Sequence, residues 1–191
     1  MILIADSGST KVDWRAVAAD GTALSVQTEG INPVFLSSEA ISQILSEKLV
    51  PVFGTGIKEV YFYGAGVLSD ELSKKMEDAF GSVFPGCKCF SASDILAAAR
   101  ALCGHKPGIA CIMGTGANSC MYNGVDVEKN VKAGGFILGD EASGGVLGRK
   151  LISDYIKGVL PKEIEEEFTK RYNLDYIQIV EKVYKQPLPS R

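Results

Sequence analysis

The chain has 191 residues, 46% hydrophobic and 23% charged, enough apolar material for one large domain or two small ones with real cores, which excludes disorder and low complexity. A net charge of -3 and a pI near 5.3 leave no basic stripe, so neither nucleic acid nor an anionic membrane is expected as a partner. No apolar run approaches the roughly 20 residues that span a bilayer, and no basic lead precedes the short apolar N-terminus, which points to a cytoplasmic protein.

Met1 to Ala5 is an apolar run that ends in Asp6-Ser7-Gly8-Ser9-Thr10-Lys11, after which Val12, Trp14 and Ala16 alternate with Asp13 and Arg15. This reads as a strand, a tight polar turn and a second strand. Consecutive N–H groups and hydroxyls from Ser7 to Thr10 suit phosphate oxygens, and Asp6 can hold a hydrated Mg2+ beside them. The same residue types also make ordinary β-turns, and that plainer reading stands beside the first. Two other phosphate loops are excluded, because the chain has no G-x-x-x-x-G-K-[ST] stretch and a Rossmann loop would open a helix.

Thr22 to Glu29 completes a predicted antiparallel meander of three strands after the Asp20-Gly21 turn. The period then changes. Ser37 to Leu49 places Ile41, Ile44, Leu45 and Leu49 on one helical face, Glu59 to Tyr63 reads as a buried strand, and Ser69 to Phe80 reads as a second helix capped by Ser69. Lys88 to Phe90 is a short strand, and Ser93-Asp94 leads into an alanine-rich helix over Ile95 to Leu102.

A new unit begins near residues 104–107, giving expected domains of 1–104 and 105–191. Ile109 to Met113 repeats the opening pattern, with Gly114-Thr115-Gly116-Ala117-Asn118 at the turn and Ser119 to Tyr122 following. The Asn123-Gly124 hairpin returns the chain through Val125 to Ala133, and a helix is expected to start near Ser143. Two such strand, turn and strand units can clasp the outer phosphates of ATP from two sides, as phosphoryl transfer requires. Residues 151–191 supply helices, with Ile152, Tyr155, Ile156 and Val159 on one apolar face, Ile177, Val180, Val183 and Tyr184 on another, and a solvated charge run from Glu163 to Glu167. The five cysteines, Cys87, Cys89, Cys103, Cys111 and Cys120, are odd in number and sit mostly in apolar segments, which suits reduced core thiols better than a disulfide frame.

Asp6 to Lys11, Ser93-Asp94, Gly114 to Asn118 and Gly134-Gly135-Phe136-Ile137-Leu138-Gly139-Asp140-Glu141 occur in an order that resembles the N-acetylglucosamine kinase branch of the sugar kinase, Hsp70 and actin superfamily, grouped with the BadF/BadG/BcrA/BcrD ATPases. The resemblance implies an α/β fold: a ribonuclease H-like (actin-like ATPase) lobe with a mixed β-sheet and flanking helices, followed by part of a second such lobe. It implies an ATP-dependent kinase for N-acetylglucosamine or a related amino sugar, with ATP and Mg2+ as cofactors. Ser7, Gly8, Ser9, Thr10 and Lys11 then form the first phosphate motif, Gly114, Thr115 and Gly116 the second, and Asp6 acts on Mg2+ through water.

By the same resemblance Asp94 is the catalytic base, and Asn32, Asn118, Gly135 and Asp140 bind the acceptor sugar. The chemistry agrees, since an attacking hydroxyl needs a carboxylate to take its proton. Asp94 as a plain helix cap, and Asn32 before Pro33 as a plain turn former, remain open from the residues alone. Members of the family run on beyond this length with an adenosine motif, so the chain is expected to be a fragment with impaired nucleotide affinity. It is also expected to leave an apolar face or strand edge uncovered, which invites a homodimer. Two further classes stand beside the kinase: an ATPase that activates a 2-hydroxyacyl-CoA dehydratase through a shared iron–sulfur cluster, and a sugar sensor without turnover. Asp94 and Asn32 favour the kinase, while Cys87 and Cys89 make an unconvincing cluster site.

Overall fold

The structure, a computed structural model, describes residues 1–8 and 10–185. Strands β1 (Ile2–Ser7), β2 (Lys11–Val17) and β3 (Ala23–Glu29) form the expected meander. Helix α1 (Ser38–Lys48), the short α2 (Val50–Phe53), β4 (Glu59–Gly64), α3 (Asp70–Val83), β5 (Lys88–Ala92) and α4 (Asp94–Cys103) follow. The sheet order is β3-β2-β1-β4-β5, with β1 antiparallel to β2 and parallel to β4, and β4 parallel to β5. This is the mixed sheet with flanking helices that the sequence led us to expect.

Alternation decides which face becomes core. Leu3, Ala5 and Ser7 on β1 and Val12, Trp14 and Ala16 on β2 are buried, while their neighbours point to the other face. Onto the buried face α1 brings Ile41, Leu45 and Leu49, and α3 brings Met76, Ala79 and Phe80. Trp14, Phe62 and Phe80 meet with ring centroids 6.0–6.1 Å apart, in tilted or edge-on arrangements that aromatic quadrupoles favour. Ser37 and Ser69 cap α1 and α3 by accepting N–H bonds from Ala40 and Leu72.

β4 departs from expectation. It was expected as a buried strand, but only Val60, Phe62 and Gly64 are buried, and Tyr61 keeps 36% of its surface. The physical reason is that a single helix, α4, touches β1 and β4 on that second face, whereas α1 and α3 together back the first. Helix α2 was not foreseen, being one turn built around Pro51.

A second sheet has the order β6-β7-β8, from β6 (Gly108–Met113), β7 (Ala117–Tyr122) and β8 (Val127–Val131). Turns this short join only antiparallel neighbours. Ile109, Met113 and Val131 stand exposed on these strands, as anticipated for an uncovered apolar face. Helices α5 (Gly135–Leu138), α6 (Gly144–Ile156), α7 (Lys162–Tyr172) and α8 (Tyr176–Tyr184) complete the described chain. The charge run 163–167 lies exposed on α7.

The two apolar faces expected for these last helices need correction. The first is only partly covered: Tyr155 packs on Phe168 with centroids 4.3 Å apart, but Ile156 is exposed and Val159 lies beyond the helix end. On α8 the buried residue is Ile179, and Ile177 and Tyr184 face outward, while the Asp175/Gln178 capping box starts that helix at Tyr176. The chain divides into two compact units, residues 1–110 with 120–130, and residues 111–119 with the segment from Val131 onward. Among the described residues no helix is long and apolar enough to cross a membrane.

The buried Trp14 indole N–H donates to Thr28 Oγ1 at 2.9 Å. Thr28→Val strands that donor, so urea unfolding followed by the fluorescence of the sole tryptophan should show a loss of about 1–3 kcal/mol.

Candidate active site

In the first unit, the period of β1 that buries Leu3, Ala5 and Ser7 turns Asp6 out onto the face carrying α4. Asp6 lies opposite Asp13 on β2 and Tyr63 on β4. Like charges paired across strands repel. Asp13 is compensated, because Lys11 lies 2.8 Å away and Gln27 donates to it at 2.6 Å, and these bonds hold its carboxyl below the ordinary carboxylate value. The turn closes through Gly8 N–H donating to the Lys11 carbonyl at 3.0 Å. Ser9 lies outside the described residues.

Ser7 has a structural task that its sequence position did not reveal. Its buried hydroxyl donates to the Ile31 carbonyl at 2.9 Å, and its own carbonyl accepts from Ala65 N–H at 3.1 Å. The loops after β3 and after β4 are thereby held at the end of β1. In the first of these, Asn32 Oδ1 accepts from Val34 N–H at 2.9 Å, and the Asn32 carbonyl accepts from Phe35 and Leu36. Lys75 on α3 donates to the Pro33 carbonyl at 2.8 Å.

Asp94 opens α4 directly after β5. Ser93, the N-cap, makes no side-chain cap bond, and Asp94 Oδ1 instead accepts from Ile95 N–H at 2.8 Å. Burial pushes the Asp94 carboxyl above its ordinary value, the Ile95 bond opposes this, and the nearby charge of Asp6 pushes it up further. Both carboxylates therefore belong to the carboxyl ends of parallel strands, where open α/β sheets receive ligands.

Arg100, two turns along α4, donates to Tyr63 Oη at 3.0 Å and sits 5.5 Å from the centre of the Phe90 ring. It also lies 3.9 Å from Asp126. These contacts fix α4 on the sheet, and hence the place of Asp94. Sequence reasoning missed Arg100 because its partners are distant in the chain and no local pattern announces them.

In the second unit, the turn at Gly114 to Gly116 closes through Gly114 N–H to the Gly116 carbonyl at 2.9 Å. Gly144 N–H, at the start of α6, donates to the Gly114 carbonyl at 2.8 Å, and Gly145 N–H approaches the Thr115 carbonyl at 3.4 Å. Asp140, at φ +56°, accepts from Ala117 N–H at 3.1 Å and lies so close to Gly116 that a Cβ there would meet both carboxylate oxygens at 3.1 Å. Asp140 N–H in turn bonds the Ala133 carbonyl at 2.7 Å. Gly135, at φ +73°, has open space around its Cα, and Asn118 Oδ1 accepts from Ser119 N–H at 2.9 Å. Asp140 thus ties the segment from Ala133 to the glycine turn, and Gly135 and Asn118 stand in the same unit.

Cys87 and Cys89 pack against the hydrophobic core, and burial pushes the Cys89 thiol up to about 12. A cluster ligand needs a thiolate, so this environment opposes iron–sulfur ligation. Among the described residues no group of three or more histidine, cysteine or carboxylate side chains gathers to hold a metal.

Comparison with solved structures gives a match along the whole chain. A Porphyromonas gingivalis protein provisionally named N-acetylglucosamine kinase is 45% identical over 100% of this chain and 69% of its own, with a TM-score of 0.87. The chain belongs to this N-acetylglucosamine kinase-like family. A similarly named Chromobacterium violaceum protein, 21% identical over 94% of this chain and 66% of its own, shares the fold at a TM-score of 0.63. So does the ethanolamine utilization protein EutJ from Carboxydothermus hydrogenoformans, 17% identical over 98% of this chain and 73% of its own, at 0.52. The family fold is the ribonuclease H-like, actin-like ATPase fold. No protein-family model matches the chain, and comparison with curated proteins gave no match.

Asp94 binds its proton more tightly in this site than in the unfolded chain, so its contribution to stability is complete below the ordinary value of 3.8 and is lost as pH rises through the raised value. Asp94→Asn keeps an oxygen for Ile95 N–H and removes the charge. Urea unfolding across pH should find the variant equal to wild type at strongly acid pH and more stable at neutral pH.

Proposed function

We propose that the protein is an ATP-dependent carbohydrate kinase of the BadF/BadG/BcrA/BcrD ATPase group, phosphorylating N-acetylglucosamine or a related amino sugar. In this reading residues 1–104 form the first lobe and 105–191 part of the second. ATP as donor assigns the work to the cytoplasm. The observation that carries the reading is Asp94, a half-buried carboxyl raised by burial and by Asp6 at the carboxyl ends of β1 and β5. A carboxyl raised toward working pH accepts a proton more readily than a fully solvated one.

Asp94 orients the acceptor hydroxyl and takes its proton as the hydroxyl oxygen bonds the γ-phosphorus and the bond from that phosphorus to the bridging oxygen of ADP breaks. Asp6 is the residue that would hold Mg2+. One carboxylate fits such a role, since Mg2+ keeps most of its waters, and Asp6 stands at the carboxyl end of β1 beside the turn that Gly8 and Lys11 close. The metal supplies neutralisation of phosphate charge when bound. Residues 7–11 in the first unit and 114–116 in the second are the proposed phosphate-binding segments. Asn32, Asn118, Gly135 and Asp140 hold the sugar. The raised Cys89 thiol argues against the dehydratase activator.

Transfer of phosphate from ATP to N-acetylglucosamine, measured as ADP release, should be sugar-dependent and should fall by about 10²–10⁴-fold in Asp94→Asn. Sugar-independent hydrolysis, or turnover unchanged in the variant, would overturn the reading.

A further inference from the structure

Gly64, Ala65 and Gly66 follow β4 in a tight turn closed by Val67 N–H donating to the Gly64 carbonyl at 3.0 Å. Ala65 is tied to Ser7, and Ser7 to Ile31, so this turn lies against the segment carrying Asn32. Gly66 is buried, and a Cβ built on it would run into Asn32 Oδ1, approach Asn32 Cγ to 2.6 Å and Pro33 Cδ to 3.0 Å. Real Cβ atoms do not tolerate such contacts, and proline cannot yield as a flexible chain does. What would have to move is the Asn32 amide.

That amide is already oriented. Its oxygen accepts from Val34 N–H at 2.9 Å, so its NH2 group points the other way, and among the described residues no acceptor takes it. An asparagine held like this offers two donors, while its oxygen is turned to the Val34 N–H. We infer that Gly66 is a positioning residue for the acceptor sugar: its missing side chain makes the seat that fixes Asn32 as a hydrogen-bond donor to a sugar hydroxyl oxygen. The inference rests on the kinase reading for the identity of the ligand and goes beyond it in assigning a polarity to Asn32 and a task to Gly66.

Polarity and seat are separable by mutation. Asn32→Asp keeps an oxygen for Val34 N–H, and therefore the loop, but replaces the donor by an acceptor. Gly66→Ala keeps Asn32 and displaces it. Both act through one hydrogen bond, so their effects should not add.

The test is isothermal titration calorimetry of the full chain with N-acetylglucosamine, with thermal unfolding of each variant as the check on folding. Each single variant should weaken sugar binding by about tenfold or more, the size of one lost hydrogen bond at a desolvated site. The double variant should be no weaker than the weaker single. Asn32→Asp binding as wild type would overturn the donor assignment, even if Gly66→Ala fails to fold. A folded Gly66→Ala with unchanged affinity would overturn the positioning role, as would absence of sugar binding by the unmodified chain. Sugar binding with this pattern, beside ATP hydrolysis that does not depend on sugar, would sink the kinase reading and leave the inference standing.

Discussion

The position of β1 between an antiparallel and a parallel neighbour constrains everything else in the first unit. Its period of two sends Leu3, Ala5 and Ser7 into the aromatic core around Trp14, Phe62 and Phe80, and the same geometry leaves Asp6 no option but the opposite face. A slip of one residue in register would bury Asp6 and expose the core set. The hydrophobic effect thus fixes a carboxylate at the carboxyl end of the strand without any interaction of that carboxylate itself.

Around Asp6 the molecule accepts unfavourable electrostatics. Asp13 faces it across the strand pair, and Asp94 is half-buried nearby with its carboxyl raised. Lys11 and Gln27 relieve Asp13. Stability is commonly lost where function needs charged groups held together, so such a group beside a well-packed core marks a candidate site. Arg100, clamped by Tyr63 and Phe90, holds the helix that carries Asp94 in place against that repulsion.

Much of this was legible in the sequence. The meander, both Ser-capped helices and the glycine turn between β6 and β7 followed from alternation, capping residues and turn chemistry, which are local. What escaped depends on tertiary pairing. The bond from the Ser7 hydroxyl to the Ile31 carbonyl has no local signature, and β4 reads as a buried strand until its second face meets one helix instead of two. Ile177 and Ile179 are equally apolar and lie on opposite sides of the helix, and only tertiary packing sets which one faces inward. Gly66 carried a readable hint, since paired glycines just past a strand often mark a close approach of backbone to another group, but nothing local identifies Asn32 as that group.

The most direct test of the account is a carbon-13 NMR titration of the Asp94 carboxyl in the wild-type chain and in Asp6→Asn. The midpoint should lie above the ordinary 3.8 in the wild type and be lowered but still raised in the variant, because burial is the larger cause and Asp6 the smaller. An Asp94 that titrates at the ordinary value, or that ignores the loss of the Asp6 charge, would contradict it.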